Sequence, residues 1–505
     1  MTNANLYALF KRHFSKNLNT PALAIPDGEI ISYGDLDDLS AQIAGFLHEL
    51  GIVKGDRVAV QVDKSPQAVA LYLSCLRIGA VYLPLNTAYT AAEVDYFLSD
   101  AEPSLLVCNP LSESTLRDMI GDNKSLHVMT MDADGQGTLM EGSSRAKPNT
   151  DIMDVKPDDL AAILYTSGTT GRSKGAMLSH DNLASNALAL HDIWGWREGD
   201  VLIHALPIFH VHGLFVALHC ALLNGSKMWF LPKFDADQII DLMPSSSVLM
   251  GVPTFYTRLV AHPRLTRKAS ANIRLFVSGS APLLEETFVS FEDITGHRIL
   301  ERYGMTETGM IASNPLLGER LPTTVGYPLP DVSVRVADEE GNLLNPEVIG
   351  VLEVKGPNVF SGYWRMPEKT ADEFRKDGWF ITGDMAKMSE DGRVSIVGRA
   401  KDMIISGGYN VYPKEIETVI DELSGVIESA VVGVPHPDFG EAILAIIVAK
   451  QGTQLDETSI QSAIKDELAR FKHPKKVFIV SELPRNTMGK VQKNILRETY
   501  SSTFS

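Results

Sequence analysis

A loop rich in glycine and hydroxyl residues directly follows an apolar run in this chain. The run Leu160–Leu164 predicts a buried strand, and the loop extends from Thr166 to Lys174. Such a loop offers backbone N–H groups, hydroxyl donors and an ammonium group to a polyanion. Gly168 and Gly171 let the backbone approach a ligand with no Cβ in the way. The pattern predicts a phosphate-binding loop at the end of a buried strand.

The spacing of this loop differs from that of the nucleotide-binding P-loop. A P-loop places its lysine directly after a glycine and before Ser or Thr, whereas here Lys174 follows Arg172-Ser173. A flexible surface turn has a similar composition. The loop alone therefore favours a phosphate site but leaves a solvated turn open as the alternative.

Length and charge limit the classes of protein to which the chain can belong. Its 505 residues exceed what one hydrophobic core usually serves, so we expect at least two domains. The net charge of −17 argues against a general nucleic-acid or anionic-membrane surface, so we expect neither as a partner. The segment Val201–Leu223 is the most apolar, but four histidines and a proline interrupt it too often for a membrane span.

The cysteines and the N-terminus indicate the compartment. Cys75, Cys108 and Cys220 are scattered and lie in or beside apolar segments, which is typical of core thiols in a reducing environment. The first residues lack the basic start and apolar core of a secretory signal. We therefore expect a cytoplasmic protein.

The order of predicted elements indicates an α/β protein. Strand Val58–Val62 and helix Pro66–Ile78 belong to an alternation through the first 150 residues, which implies βαβ units and a largely parallel sheet. Asp132–Asp151 is polar, which predicts a surface loop rather than a domain boundary. Short alternating segments from about residue 320 predict an antiparallel β subdomain. The α/β pattern then returns beyond Lys401-Asp402.

The predicted domains follow from these changes of pattern. We expect a large N-terminal domain over residues 1–400, of parallel-type α/β sheets, with the β subdomain over 320–400. Residues 401–402 form the boundary, and residues 403–505 form a small α+β C-terminal domain.

Further motifs carry polar groups suited to nucleotide chemistry. In Glu301–Thr308, the oxygens of Thr306 and Glu307 could hold Mg²⁺, and Tyr303 could stack on an adenine ring. A helix start capped by Thr306 is an equally good structural explanation. Asp384 ends a short β segment, where a carboxylate suits ribose hydroxyls but also caps turns. Lys490 leaves a glycine-containing loop near the C-terminus.

Taken together, these segments resemble the adenylate-forming superfamily of acyl-CoA synthetases, luciferases and peptide-synthetase adenylation domains. The resemblance covers essentially the whole chain, in order and spacing. It implies that ATP and coenzyme A are co-substrates and that Mg²⁺ is the cofactor. It also implies a C-terminal domain that rotates about Asp402 between two half-reactions.

The resemblance also implies site residues. The catalytic residues it implies are Lys490, Glu307 and His210, and those for Mg²⁺ are Thr170 and Glu307. The residues it implies for ATP and AMP are Thr166, Ser167, Gly168, Thr169, Thr170, Lys174, Ser280, Ala281, Glu301, Arg302, Tyr303, Gly304, Thr306, Asp384 and Arg399. For coenzyme A they are Ser406, Gly407, Gly408 and Tyr409, with Arg470 and Lys472 as candidates that could equally be solvated, and the hinge is Lys401 and Asp402.

The residue types suit the implied chemistry. A carboxylate oxygen attacks the α-phosphorus of ATP, and Lys490 would offset the charge that builds up there. Rotation about Asp402 would then remove Lys490 and bring in the Ser406–Asn410 strand for thiol attack. Acetylation of Lys490 by a lysine acetyltransferase would remove the needed charge, which we state as a hypothesis.

Two arginines bear on which acid is used. Arg302 precedes the Tyr-Gly-Met-Thr-Glu run and Arg258 lies near the expected acyl pocket, with hydroxyl donors such as Ser280 beside it. A second carboxylate on the substrate would pair with these guanidinium groups at the closed end of the pocket. Alternatively, both arginines pair with nearby acids, Arg302 with Glu301.

These residues resemble those of the malonyl-CoA synthetase group of the superfamily. That resemblance implies that Arg258, Ser280 and Arg302 hold a distal carboxylate, and that methylmalonate fits if Met305 leaves space for a methyl group. The alternatives are a general short-chain or aromatic acyl-CoA synthetase and a stand-alone adenylation enzyme that loads a carrier protein. His210 lies two residues from another histidine, but nothing nearby completes a tetrahedral metal set, so we expect a pocket wall.

Overall fold

The computed structural model describes residues 3–504 except 15–17, 122–124, 167–172, 407–408, 438, 454, 466, 469 and 487–488. The helices are α1 (Leu6–His13), α2 (Tyr33–Glu49), α3 (Pro66–Ile78), α4 (Ala91–Ala101), α5 (Glu113–Ile120), α6 (Thr138–Ser143), α7 (His180–Ile193), α8 (His219–Asn224), α9 (Ala236–Leu242), α10 (Pro253–Val260), α11 (Glu285–Thr295), α12 (Pro367–Asp372), α13 (Pro413–Asp421), α14 (Glu457–Ala463) and α15 (Lys493–Thr499). A π-helix, His212–Leu218, precedes α8.

The strands are β1 (Pro21–Ala24), β2 (Ile30–Ser32), β3 (Arg57–Gln61), β4 (Val81–Pro84), β5 (Leu105–Cys108), β6 (His127–Thr130), β7 (Leu160–Thr166), β8 (Lys174–Ser179), β9 (Val201–His204), β10 (Lys227–Phe230), β11 (Val248–Gly251), β12 (Leu275–Ser278), β13 (Leu300–Met305), β14 (Gly309–Ser313), β15 (Tyr327–Pro328), β16 (Ser333–Ala337), β17 (Gly350–Lys355), β18 (Phe380–Met388), β19 (Val394–Arg399), β20 (Ile404–Ser406), β21 (Tyr409–Val411), β22 (Val426–His436), β23 (Gly440–Ala449) and β24 (Lys476–Val480).

The described strands form four sheets. One has the order β15-β14-β13-β12-β11-β9-β10-β1-β2 and a second has the order β6-β5-β3-β4-β7-β8. Both are parallel apart from antiparallel strands at their edges. The third, β16-β17-β18-β19, is antiparallel, and the fourth is built from β20 to β24. The predicted fold class, α/β with an antiparallel β subdomain and an α+β C-terminal part, is confirmed.

Helix α3 shows how the sequence fixes one buried element. Ser65 caps its N-terminus by accepting from the backbone N–H of Ala68, Pro66 occupies the first turn, and Gly79 ends it in the left-handed conformation. Every residue of the helix except Gln67 is buried. A helix that is apolar on nearly all faces lies inside the core, as this one does, and its one buried cation, Arg77, pairs with Asp37 of helix α2.

The polar stretch Asp132–Asp151 contains an element that its composition does not indicate. The short helix α6 lies within it, Leu139 is fully buried, and a Cβ on Gly142 would lie 2.2 Å from the ring of Phe46. The expected surface loop therefore packs partly against the core, because Gly142 allows helix α6 to approach helix α2 closely.

The fold collects several loops at one edge. The strands β7, β9, β11, β12 and β13 belong to the two largely parallel sheets, and several predicted site residues follow or end these strands, whereas Asp384 and Arg399 lie in the antiparallel sheet and Lys490 in the C-terminal part. In open α/β sheets, ligands bind outside the carboxyl ends of the strands. Among the described residues, no helix combines the length and apolar character needed to cross a membrane.

Candidate active site

The predicted phosphate loop connects two antiparallel strands. Thr166 at the end of β7 pairs with Lys174 at the start of β8, and the Thr166 hydroxyl donates to the Lys174 carbonyl over 3.4 Å. The predicted loop residues between them lie outside the described residues: Ser167, Gly168, Thr169 and Thr170. The hairpin therefore fixes where the loop starts and ends.

Lys174 lies in a charged cluster that includes two residues not predicted from the sequence. Its Nζ is 2.8 Å from Glu373 Oε1 and 4.1 Å from the centre of the Tyr363 ring. The Tyr363 hydroxyl lies 2.6 Å from Glu373 Oε2 and 3.0 Å from Glu307 Oε1. Burial raises the pKa of Glu307, which is 5 % exposed. The loop lysine and the predicted metal-binding carboxylate are thus joined through Tyr363.

A second cluster brings together three predicted nucleotide-binding residues. Asp384 in β18 and Arg399 in β19 are cross-strand partners, and Arg399 Nε lies 2.7 Å from Asp384 Oδ1. The Tyr303 hydroxyl donates to the other oxygen of the same carboxylate. Asp384 is 2 % exposed, and burial raises its pKa despite the nearby cations. Its two oxygens are thus held in a fixed orientation.

Lys490 from the C-terminal part of the chain lies close to both clusters. Burial, together with the positive charges of Arg399 and Arg302, lowers the pKa of Lys490 to about 8, although the carboxylates of Asp384 and Glu307 oppose this. The backbone N–H of Lys490 donates to the Asn486 side-chain oxygen over 2.9 Å. The turn that carries the lysine is therefore closed by a local hydrogen bond, and the ammonium group is close enough to ionisable groups of residues 1–400 for their charges to act on it.

Arg302 is a buried cation with unpaired donors. It is 3 % exposed, and its Nε and Nη2 have no hydrogen-bond partner among the described residues. A Cβ on Gly279 would lie 2.5 Å from Arg302 Cζ, so the guanidinium rests against the backbone after β12. Burial lowers the pKa of Arg302 to about 9. A guanidinium in this state favours any anion that can reach it.

Two histidines and a serine lie close to this guanidinium. Ser280 has a φ of 75°, a left-handed conformation uncommon for a residue with a Cβ, and its Oγ is 3.2 Å from His212 Nδ1. Burial lowers the pKa of His210 to about 3, with smaller contributions from Lys490 and Arg302. His210 is therefore neutral and lies within the electric field of both cations.

Arg258 is exposed, whereas the sequence led us to expect it buried with Arg302 at a closed pocket end. Helix α10 buries Phe255, Tyr256 and Leu259, which places Arg258 on its exposed face, 5.6 Å from the centre of the Phe234 ring. The exposed face of a short amphipathic helix is where a charged residue avoids desolvation. The structure buries one of the two guanidinium groups, so the expectation that both are buried is wrong, whereas the role of each arginine toward a substrate stays a prediction.

Arg258 nevertheless shares a helix face with a residue next to the lysine turn. Thr254 lies four residues earlier, and a Cβ on Gly489 would be 3.6 Å from its Cγ2. Residues four apart point to the same side of a helix. Arg258 thus faces the side on which Lys490 enters.

The remaining predicted acyl and nucleotide residues lie along β12 and β13. Glu301 is buried, its Oε1 accepts from the Leu283 N–H over 3.2 Å, and burial raises its pKa to about 7. Among the described residues, no hydrogen bond or ion pair joins the Glu301 carboxylate to Arg302. The half-buried members of this group are Ala281, Gly304, Met305 and Thr306.

The predicted coenzyme A residues are only partly brought together. Ser406 is buried in β20, Gly407 and Gly408 lie outside the described residues, and Tyr409 begins β21. Arg470 is exposed, whereas Lys472 forms an ion pair of 2.8 Å with Glu415. The lysine charge is thus already matched within the C-terminal sheet region.

The predicted hinge residues differ in their contacts. Lys401 is exposed, whereas Asp402 forms an ion pair with Arg497 of helix α15. Sequence reasoning missed Arg497, Tyr363 and Glu373. Only their proximity in the folded chain identifies them, because each is far from its partner in sequence.

Comparison with known proteins agrees with this arrangement. The family described as AMP-binding enzyme matches residues 10–364, and the AMP-binding enzyme C-terminal domain matches residues 415–490. ATP-bound MatB from Rhodopseudomonas palustris is 54 % identical over all of both chains, with a TM-score of 0.97, and the apo form of that protein gives 0.87.

Two curated relatives are similar over nearly the whole chain. The malonate–CoA ligase of Arabidopsis thaliana is 34 % identical, covering 98 % of this chain and 89 % of that protein. The long-chain-fatty-acid–CoA ligase of Bacillus subtilis is 33 % identical, covering 93 % and 90 %. The predicted resemblance to the acyl-CoA synthetase superfamily is confirmed. The chain is an enzyme, and it belongs to the AMP-binding enzyme family.

Proposed function

We propose that this protein is an ATP-dependent malonate–CoA ligase. It converts malonate, and also methylmalonate, with ATP and coenzyme A into the acyl-CoA, AMP and pyrophosphate through an acyl-adenylate. The observation that carries this proposal is the buried Arg302, whose Nε and Nη2 have no partner among the described residues. The 54 % identity to MatB and the similarity to a malonate–CoA ligase support it.

The state of Arg302 favours a diacid over a monoacid. A buried guanidinium with two unpaired nitrogens destabilises the fold by several kcal/mol, and an aliphatic or aromatic acyl chain would leave both nitrogens unpaired. A second carboxylate would accept from both unpaired nitrogens in a bidentate pair. We assign Ser280 and Met305 to the same pocket. Arg258, on an exposed helix face, contributes at most at the pocket entrance.

In the first half-reaction, the reacting carboxylate of the diacid attacks the α-phosphorus of ATP and pyrophosphate leaves. Lys490 would offset the negative charge that develops around that phosphorus. Asp384 and Arg399 would hold the ribose hydroxyls, Tyr303 would contact the adenine, and His210 would form a neutral wall beside the acid.

The phosphates would be held where Lys174 and Glu307 meet. The Glu307 carboxylate supplies the hard oxygen ligands that Mg²⁺ prefers, and it lies in a cluster with Glu373, so this site fits the ion. Bound Mg²⁺ would neutralise the charge of the leaving pyrophosphate. Thr170 is the second residue that we assign to the metal. The Lys174 ammonium group would offset the negative charge of the phosphates that the loop holds.

For the second half-reaction we propose a rotation of residues 403–505 about Lys401 and Asp402. It would remove Lys490 and bring the Ser406–Tyr409 segment to the acyl-adenylate, where the coenzyme A thiol attacks. Lys490 now lies near Asp384, and the TM-score is higher to ATP-bound than to apo MatB. Both observations support the adenylating arrangement for this structure.

We also propose two cellular properties. Acetylation of Lys490 would remove the ammonium charge and stop adenylation, so a lysine acetyltransferase is a candidate regulator. The cysteines Cys75, Cys108 and Cys220 are all unpaired and buried, which is consistent with a reducing compartment and supports the cytoplasm.

One experiment tests the proposed function. The purified enzyme is given ATP with malonate, acetate or benzoate, each with and without coenzyme A, and pyrophosphate, AMP and thioester are measured. We expect malonyl-CoA to form fastest, with AMP and pyrophosphate in equal amounts. Faster turnover of acetate or benzoate than of malonate would contradict the diacid assignment. Adenylation without any transfer to coenzyme A would instead favour an enzyme that loads a carrier protein.

A further inference from the structure

His212 is a buried polar residue that the proposed chemistry does not use. It begins the π-helix His212–Leu218 and is 1 % exposed. Such helices often mark functional sites. Its Nδ1 lies 3.2 Å from Ser280 Oγ, whereas its Nε2 is buried without a partner among the described residues. The one contact of this imidazole that can be assigned therefore leads to the acyl pocket.

The ring carries a single proton. Burial holds the pKa of His212 well below its ordinary value, and the positive charge of Arg302 lowers it further. A proton on Nε2 would be a buried N–H without an acceptor, and orphaned N–H groups are rarer in proteins than orphaned lone pairs. A proton on Nδ1 has Ser280 Oγ as its acceptor. The tautomer with Nδ1–H is therefore favoured.

The Ser280 hydroxyl has one proton of its own. If Oγ accepts from His212, that proton is free to be donated elsewhere. Ser280 directly follows Gly279, against which the Arg302 guanidinium packs, and its backbone is left-handed at φ 75°. The free O–H and the unpaired guanidinium donors thus lie at the same corner of the pocket.

We infer that His212 is a positioning residue for diacid selectivity. Its Nδ1–H donates to Ser280 Oγ, and this fixes the Ser280 hydroxyl as a donor to the distal carboxylate that Arg302 binds. The inference rests on the proposed malonate activity. If His212 were absent, the hydroxyl could rotate away and the distal carboxylate would lose an oriented donor.

On this inference, His212 affects diacid selectivity only through Ser280. A double-mutant cycle tests this dependence. The variants are His212→Leu, His212→Asn, Ser280→Ala and the double variant His212→Leu/Ser280→Ala. The Asn side chain keeps a donor near the Nδ1 position, whereas Leu fills the space without one. The measured quantity is the ratio of kcat/KM for malonate to that for propionate, which lacks the second carboxylate.

We expect His212→Leu to lower this ratio about tenfold or more, and His212→Asn to stay within about threefold of wild type. In the Ser280→Ala background, His212→Leu should change the ratio by less than about twofold. An equal loss in both backgrounds would overturn the inference. So would an unchanged ratio in His212→Leu, since a general structural defect lowers both substrates alike.

Thermal unfolding of each variant shows whether it is folded. If His212→Leu is not, His212→Gln, whose amide reaches beyond the Nδ1 position, replaces it with the same expected outcome. Measurements on the wild-type enzyme separate the proposed malonate activity from the inference about His212. A wild-type enzyme that does not prefer malonate would overturn the proposed function and the inference with it, whereas additive losses in a malonate-selective enzyme would overturn the inference alone.

Discussion

The Arg302 guanidinium packs against Gly279 so closely that a Cβ at position 279 would lie 2.5 Å from Arg302 Cζ. Real Cβ atoms do not approach other heavy atoms at that distance. Gly279 therefore provides the space in which this buried cation lies. Its role is one of space alone, since its backbone is not left-handed, unlike that of the next residue, Ser280.

Gly279→Ala should therefore displace the guanidinium. Because the guanidinium ends a flexible side chain, it can relieve the clash by moving away from the position in which it would bind the carboxylate, so we expect kcat/KM for malonate to fall by about tenfold or more. Steady-state kinetics with malonate measure this. The control is Gly452→Ala in the C-terminal part, where nothing lies within 4 Å and the added Cβ strains only the local left-handed backbone at φ 83°. Malonate kinetics that are equal in the two variants would refute the role of Gly279.

The lowered pKa of Lys490 makes adenylation sensitive to pH. Because the folded pKa is about 8, below the ordinary value of 10.5, the ammonium form is present below that pH and is lost as the pH rises through it. We expect the rate of pyrophosphate release to decline above about pH 8, with one proton lost. The measurement is kcat/KM for malonate from about pH 6 to about pH 10.

The control for this pH profile is Lys490→Arg, since a guanidinium stays charged throughout that range. Its activity should be lower, because its geometry differs, but the alkaline decline should disappear. If the decline persists unchanged in Lys490→Arg, another group is responsible for it.

The ion pair between Arg497 and Asp402 connects the last helix to the predicted hinge. Both side chains are partly buried, at 31 % and 16 % exposure, so we expect the pair to be worth about 1 kcal/mol. If it stabilises the adenylating arrangement, Arg497→Leu should slow adenylation about fivefold and leave thioester formation from supplied acyl-adenylate unchanged. Separate assays of the two half-reactions measure this.

Lys387→Leu is the matched control for Arg497→Leu. It removes the same charge from an exposed pair with Glu347 inside the β subdomain. It should alter neither half-reaction. Equal slowing of both half-reactions by Arg497→Leu would show that the pair has no preference between the two arrangements.

The sequence predicts most of this fold because its elements have local signals. Helix α3 has a serine cap, a proline in its first turn and a glycine at its end, and its predicted and observed bounds agree. Helix α6 was missed because its packing depends on Phe46, which is nearly 100 residues earlier in the chain. Local patterns do not contain such a contact.

The site residues also divide into those that the sequence locates and those that only the folded chain identifies. Motifs locate Lys174, Asp384 and Lys490, because each lies directly beside a glycine in a recognisable sequence pattern. The sequence could not show that Arg258 lies on an exposed helix face while Arg302 is buried, since both are arginines near apolar residues. Tyr363 and Glu373 join the site only through their contacts with Glu307 and Lys174, which lie in distant segments.

The central claim is that Arg302 binds the second carboxylate of the substrate. The most direct test replaces it with methionine, which fills similar space without charge, and compares kcat/KM for malonate with that for propionate. We expect the ratio of malonate to propionate to fall by about a hundredfold or more. The free energy of unfolding should rise by about 1–4 kcal/mol, because a buried unpaired cation is removed. An unchanged ratio in Arg302→Met would contradict the account.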